Sequence, residues 1–456
     1  MKGLPDLTRE ELLQIIREQQ RVIEELKREV ERLKKKLAAA PFSRGVRKAN
    51  PKRPGRKPGK GPFCHREAPP AESCPEPIPV PAPLGCCPEC GGELSEGRTA
   101  LVTVTDLPER AQPEVRGYLV ETRHCLRCGK AVRGRHPQVA ADQHGATAHR
   151  LGPRVKALAH TLHYGLGVPT QKVPAILQEL GGLRVTQSAL SQDAQKQAGG
   201  SLGAAYQRLR AGVKEACVVH TDDTGWRVGG RAAHLMVFDT TAATVYQIRP
   251  QHRNEEVREL VPGDFAGTLV CDRGKSYEAE ELRSIDQQKC LAHLLRNASE
   301  VAVSKTGRAR DFSLRLQELL RQALDLAERR PRLKAAAFQQ QAHRVETRLT
   351  DHLRDRLLCD NDNQRLLNGV GIQHDRGHLL RFLHDPRIEP TNNRAERALR
   401  PAVIQRKVSH CSKTDRGAHT FEVFLTVIQT LRKQGQVAVS DGLRHSHTAL
   451  PSIGSP

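Results

Sequence analysis

Two aspartates stand where apolar runs give out: Asp222 in CVVHTDDTGW and Asp272 in TLVCDRGKSY. A carboxylate at the end of a buried strand is held by a core yet open to solvent, which suits a metal ligand. Glu396 in TNNRAERALR is a third candidate. Its segment reads as a helix that begins near Thr391 and meets Pro401, with Asn392 and Asn393 four and three residues earlier on the same face. Hard oxygen donors of this kind suit Mg(II) or Mn(II), and two such ions ~3.5–4 Å apart can activate water or a 3′ hydroxyl and stabilise the leaving oxygen of a phosphodiester. Each acid also has a plain structural reading: a turn or cap for the aspartates, and an i,i+4 surface pair for Glu396 with Arg400. The separations, 50 residues from Asp222 to Asp272 and 124 from Asp272 to Glu396, leave convergence open.

A second chemistry is carried by sulfur. CPEC places Cys87 and Cys90, and CLRC places Cys125 and Cys128 after 34 intervening residues. Two C-x2-C pairs, each followed by glycine (Gly91 and Gly129), carry the spacing of a tetrahedral site for one structural Zn(II), because each knuckle turn aims two thiolates at one ion. The spacer holds LVTVTDL and EVRGYLVETRHC, which read as strands, so residues 86–135 are expected to form a zinc ribbon. Cys64, Cys74 and Cys86 lie close by but form no further C-x2-C pair.

Composition points to the partner. Lys and Arg number 73 against 51 Asp and Glu, a net charge of +22, and such a balance favours a polyanion: nucleic acid first, an anionic membrane surface second. No apolar run approaches the ~18 residues of a membrane span, and the start MKGLPDLTREE lacks the apolar stretch of a signal peptide. A cytoplasmic location is therefore expected, in which the 12 cysteines are thiols or ligands rather than disulfides. Residues 41–62 hold eight basic side chains, among them Arg53, Arg56 and Lys57, and no acidic one. This suits an arm lying along DNA phosphates, against the plainer reading of a solvated charge run.

These groups need elements to position them. Residues 8–38 carry heptads with Ile16, Ile23, Val30 and Leu37 at a and Leu12, Gln19, Leu26 and Leu33 at d, a pattern that favours a parallel coiled-coil dimer over one helix packed on its own chain. Thr8 and Glu11 supply a capping box at its start. Residues 41–85 contain twelve prolines and read as an extended linker. Residues 147–200 read as helices, with a break at Gly181 and Gly182 and an N-cap at Thr186; they fit a helix-turn-helix or a plain helical hairpin. From about residue 214 short apolar runs alternate with turns, the texture of a sheet with interspersed helices, and residues 296–383 read as an all-helical insertion. The fold class expected is multidomain α+β, with a core over 214–435 and a tail over 436–456.

The residues alone thus describe a basic, zinc-binding, dimeric, DNA-directed protein with a candidate metal nuclease site. A non-enzymatic DNA-binding regulator and a stand-alone nuclease stay open as rivals. The blocks HTDDTGWRVGG, LVCDRGKSY, QKCLAHLLRN and EPTNNRAERALRPAVIQRKVS, in this order, resemble the DDE transposases of the insertion-sequence-66 type, the large TnpC-like protein. The resemblance implies a leucine zipper, a Pro- and Lys-rich stretch, a zinc finger, a helix-turn-helix-like region and a ribonuclease-H-like α/β catalytic core, in that order along the chain. It implies that Asp222, Asp272 and Glu396 are a catalytic triad holding two Mg(II) or Mn(II) ions, and that the helical block between Asp272 and Glu396 is an insertion in the core. Arg397, Arg400, Arg406 and Lys407 are then placed to meet DNA phosphates, and Cys290 with His293 matches a family element that reads as packing rather than ligation. Trp226, the only tryptophan, is expected in the core rather than against a displaced base. The implied partners are double-stranded DNA, as element ends and as target, and further copies of the chain in a homodimer or higher oligomer. The implied location is the nucleoid.

Overall fold

In the computed structural model of the chain, residues 8–38, 78–80, 86, 89–93, 113–136, 139, 143–145, 149–354 and 357–435 are described. Two compact units divide the chain, Met1–Ala111 and Gln112–Pro456. In the first, α1 (Arg9–Ala38) is one continuous helix. Its heptad residues Ile16, Ile23, Leu26 and Val30 are about half exposed or more, so these seam residues are left uncovered among the described residues.

The second unit opens on a hairpin, β1 (Thr122–His124) with β2 (Ala131–Arg133), paired antiparallel. Only these residues of the expected strand EVRGYLVETRHC are extended and paired; LVTVTDL lies outside the described residues. Helices α2 (Pro153–His160), α3 (Val173–Gly181), α4 (Gln187–Ala198) and α5 (Ser201–Val213) follow. The α3–α4 break falls at Gly182, left-handed at φ 62°, and Thr186 caps α4 through its Oγ1, which accepts from Ala189 N at 3.2 Å.

A five-stranded mixed sheet comes next: β3 (Val218–Val228), β4 (Arg231–Asp239), β5 (Thr244–Arg249), β6 (Thr268–Cys271) and β7 (Asp286–Lys289) in the order β5-β4-β3-β6-β7. β3, β4 and β5 form an antiparallel meander, whereas β6 and β7 run parallel to β3. The short helix α6 (Asn254–Arg258) precedes β6. β7 has the sequence DQQK, whose polarity hides a strand from a search for apolar runs. Gln287, Gln288 and Lys289 are nevertheless buried, and the two glutamines bond backbone carbonyls, including those of Tyr277 and Leu379.

Between β7 and the last two helices lies a helical block, α7 (Leu291–Val303), α8 (Arg308–Arg329), α9 (Ala335–Leu353) and α10 (Asn361–Asp375), in the stretch expected to be an insertion. Its core reaches the sheet through Val218 and Val270. α11 (Asn393–Ser409) does not stop at Pro401 but runs through it; proline leaves one helical carbonyl without its donor, and the packing of Ala395, Leu399 and Ala402 on the sheet holds the helix together. α12 (Asp415–Lys433) is buried along most of its length, with Thr414 as N-cap and Arg432 and Lys433 in its last turn.

Candidate active site

β3 pairs with β6 only from Val218↔Thr268 to His220↔Val270. Two residues beyond that last pair each chain segment carries an aspartate, Asp222 and Asp272. Asp222 is therefore not at the end of its strand, as the apolar pattern suggested. β3 continues to Val228 against β4, and Asp222 sits where the strand parts from β6. Side chains alternate along a strand, and Val218, Trp226 and Val228 pack against the helical block or α11, which places Asp222 on that same face. Val270 shares it from β6.

The third acid arrives on α11. Asn392, fully buried at the helix N-cap, donates from Nδ2 to the Thr221 carbonyl at 2.7 Å, and its backbone N–H donates to Cys290 Sγ at 3.1 Å. Those two bonds fix the start of the helix beside Asp222. Glu396 lies one turn later, its Oε1 3.9 Å from His293 Nε2. Burial pushes the Asp222 carboxyl up to about 7, and the charges of Asp223, Asp272 and Glu396 push in the same direction. Asp272 and Glu396 thus each fall within electrostatic reach of Asp222, although they are far from it in sequence. Among the described residues none of the three has a lysine or arginine within ion-pair distance.

The support around Asp272 is close-fitting. Gly274 N donates to Asp272 Oδ1 at 2.8 Å, and a Cβ at Gly274 would stand 2.9 Å from that oxygen. Lys289, buried on β7, pairs with Glu278 at 2.6 Å and reaches the Asp272 carbonyl at 3.3 Å. Neither residue was legible in the sequence, because a Lys in DQQK has no apolar or motif signal.

Asp223 faces the other way. Its Oδ2 lies 2.8 Å from His234 Nδ1 and its Oδ1 3.1 Å from His252 Nδ1. Burial would raise its carboxyl, but the two imidazoles prevail and hold it well below the usual range. Asp223 is thus engaged by two imidazoles on the face of the sheet opposite Asp222.

The model of the family described as Transposase IS66 family matches residues 149–420. The chain belongs to this transposase family. The match takes in the sheet, the helical block and all of Asp222, Asp272 and Glu396, and it ends within α12. No match was found among the curated proteins.

Outside that carboxylate group the expected residues fare unevenly. On α11 of this family member Arg397, Arg400 and Lys407 are exposed. Arg406 is half-buried, and its Nη1 donates to Thr224 Oγ1 at 2.9 Å and to the Gly225 carbonyl, so it braces β3 instead of standing free for phosphate. Trp226 is 1% exposed, stacks on Phe421 at 5.0 Å and donates to Ser412 Oγ at 3.2 Å, the core role expected of it. Cys290 is buried at the α7 N-cap, and His293, partly exposed in the first turn, approaches Glu396.

Of the zinc-knuckle residues, Cys87 lies outside the described residues, as do Arg53, Arg56 and Lys57 of the basic arm. Cys90 belongs to the first unit and is exposed. In the second, Cys125 and Cys128 are exposed at the tip of the β1–β2 hairpin, where Cys125 N donates to Lys130 O at 2.9 Å and Gly129 adopts φ 69°. Backbone N–H groups of Cys128 and Arg127 pull the Cys125 thiol down, the direction that favours a thiolate ligand. No described helix is long and apolar enough to cross a membrane.

Proposed function

We propose that this chain binds the terminal inverted repeats of a mobile element, hydrolyses a phosphodiester at each end to expose a 3′ hydroxyl, and directs that hydroxyl at target DNA. The observation that carries the reading is the common side of Asp222 on β3 and Asp272 just past the end of the parallel neighbour β6, with Glu396 close enough for its charge to act on Asp222. The sheet order, an antiparallel meander continued by two parallel strands on the far side of β3, supports a ribonuclease-H-like core.

The donor set fits divalent ions. Burial first, and then the charges of Asp223, Asp272 and Glu396, disfavour the ionised Asp222 carboxyl, and hard cations offset both effects. Asp222, Asp272 and Glu396 would hold two Mg(II) or Mn(II) ions, which when bound supply activation of the attacking oxygen and stabilisation of the leaving one. The chain's own contribution is placement. Asn392 sets the height of Glu396 over β3, Gly274 and Lys289 fix Asp272, and the exposed Arg397, Arg400 and Lys407 offer charge to a phosphate backbone beside the acids.

The same proposal assigns α1 to parallel dimerisation, residues 41–85 to a basic linker with Arg53, Arg56 and Lys57 on phosphates, and residues 86–135 to a ribbon holding one Zn(II) by Cys87, Cys90, Cys125 and Cys128. Residues 147–200 become an end-binding helical region and residues 214–435 the catalytic core. The cell compartment is the cytoplasm, at the nucleoid. The deciding experiment is a strand-transfer assay with pre-nicked element ends and full-length chain. Joining to target DNA is expected; cleavage without joining would reduce the chain to a nuclease, and binding without either to a regulator.

A further inference from the structure

The face of the sheet turned away from Asp222 carries a second group of ligand-bearing side chains. Asp223 on β3, His234 on β4 and His252 in the β5–α6 connection each offer one ligand atom, and these atoms all lie within 4.8 Å of one another. Three separate pieces of structure bring them together. Asp223 and His234 are diagonal neighbours across the β3–β4 ladder, where Asp223 pairs with Met236 and His234 with Gly225. His252 is fixed from below: Ser276 Oγ donates to its carbonyl at 2.6 Å, and its ring stands edge-on to Tyr277 at 5.4 Å.

The carboxylate is approached by one imidazole at each oxygen, at 2.8 and 3.1 Å. A cation with Zn–N and Zn–O bonds of ~2.0–2.2 Å and angles between octahedral and tetrahedral separates its ligand atoms by about 3.0–3.5 Å, so side-chain rotations that draw the three ligand atoms, now within 4.8 Å of one another, closer together would complete the set. Two imidazoles and one carboxylate suit zinc and its late first-row neighbours better than magnesium. The side chains of Asp223 and His234 are 26% and 39% exposed, which leaves a solvent side for water to complete the coordination shell. One nitrogen of His252 is buried without a hydrogen-bond partner, so the ring's polar contacts are confined to the Asp223 side.

We propose that Asp223, His234 and His252 bind a divalent transition-metal ion of the zinc type, on the face of the sheet opposite the Asp222 group. In the metal-free chain, imidazole N–H groups hold the carboxylate; the ion takes the place of those protons and ties β3, β4 and the β5–α6 connection into one unit behind Asp222. The site stands apart from the transposase reading, since it uses none of the three acids assigned there.

The test uses the full-length chain stripped with a chelator, reloaded with zinc and freed of excess. Wild type is expected to retain about one equivalent more zinc than His234→Ala or His252→Ala, while the cysteine knuckles contribute equally to all three. Loaded with Co(II), wild type minus His234→Ala should show d–d absorption without thiolate charge transfer. His234 is partly exposed and its variant is expected to keep the wild-type circular dichroism, so it decides the matter should His252→Ala misfold. Equal zinc content in wild type and His234→Ala overturns the site. So does loss of the extra equivalent in Asp272→Ala with retention in His234→Ala, which would move the ion to the other face.

Discussion

Asp222 and Asp223 are consecutive residues of one strand whose carboxylates serve opposite faces of the sheet. The ladder through them is unbroken from His220↔Asp239 to Val228↔Arg231, so no bulge disturbs the alternation. One carboxyl is crowded by burial and like charge and rises to about 7, and the other is held by two imidazoles and falls. Two acids of identical intrinsic chemistry are separated by nothing except strand parity.

That difference makes Asp222→Asn a stabilising change in the metal-free chain. A carboxyl whose folded value lies above its unfolded one costs nothing while protonated in both states; its penalty grows as pH rises above about 4 and is complete beyond about 7. In chelator at pH 8 the variant should be more stable by roughly 2–4 kcal/mol before screening, and at pH 4 by nothing measurable. Denaturant titrations at the two values check it, and added Mg(II) should narrow the gap at pH 8. An equal effect at both values would mean that Asp222 is not crowded by its neighbours.

For the proposed chemistry, Asp222→Ala, Asp272→Ala and Glu396→Ala should each lower Mg(II)-dependent end cleavage by on the order of 100-fold or more, while leaving end binding in a gel-shift assay near wild type. Unchanged cleavage in any one variant removes that residue from the site. Arg397→Ala with Lys407→Ala should act in the opposite sense, weakening binding and flattening its salt dependence.

Asn392 is the strut of this arrangement and can be tested apart from chemistry. Asn392→Ala leaves the buried Thr221 carbonyl without its 2.7 Å donor, a loss of about 1–3 kcal/mol, and frees the first turn of α11 from β3. Thermal melts should show the destabilisation, and cleavage should fall at temperatures where the variant is still folded. A stable variant with full cleavage would show that α11 is held by its apolar face alone.

Much of this was readable from residue types. Four of the five sheet strands sit on apolar runs, the helical block on 3.6-residue periodicity, and Thr186 caps its helix because a hydroxyl before an amphipathic run satisfies free N–H groups. β7 escaped because its strand is stabilised by buried amide hydrogen bonds, which leave no apolar trace. His234 and His252 escaped for a different reason: each is a lone histidine in its segment, and only the β3–β4 register and the anchoring at Ser276 place them at Asp223. Arg406 looked like its exposed neighbours until the position of Gly225 gave its guanidinium an internal partner.

α1 offers a test of assembly. Ile16, Ile23, Leu26 and Val30 form an apolar seam exposed on the single chain, and burying each of them in a partner helix is worth about 1.5–3 kcal/mol. Ile23→Asp should convert a concentration-dependent dimer into monomer in light scattering, with the circular dichroism of the rest of the chain retained. A monomeric wild type at micromolar concentration would assign that seam to another role.

Asp193 supplies a pH test far from the carboxylate group. On α4 its Oδ1 pairs with Lys156 Nζ at 2.6 Å and its Oδ2 with His160 Nε2 at 2.9 Å, tying α4 to α2. Burial works to raise this carboxyl, but the bonds from His160 and Lys156 outweigh it and bring it down to about 2. A depressed carboxyl stabilises the fold fully above its unfolded value near 4, and the contribution is lost as pH falls toward 2. Wild type should therefore exceed Asp193→Asn by about 1–2 kcal/mol at pH 5, allowing for solvent screening, with the difference vanishing toward pH 2. A difference that is constant across that range would assign the effect to lost hydrogen bonds rather than to charge.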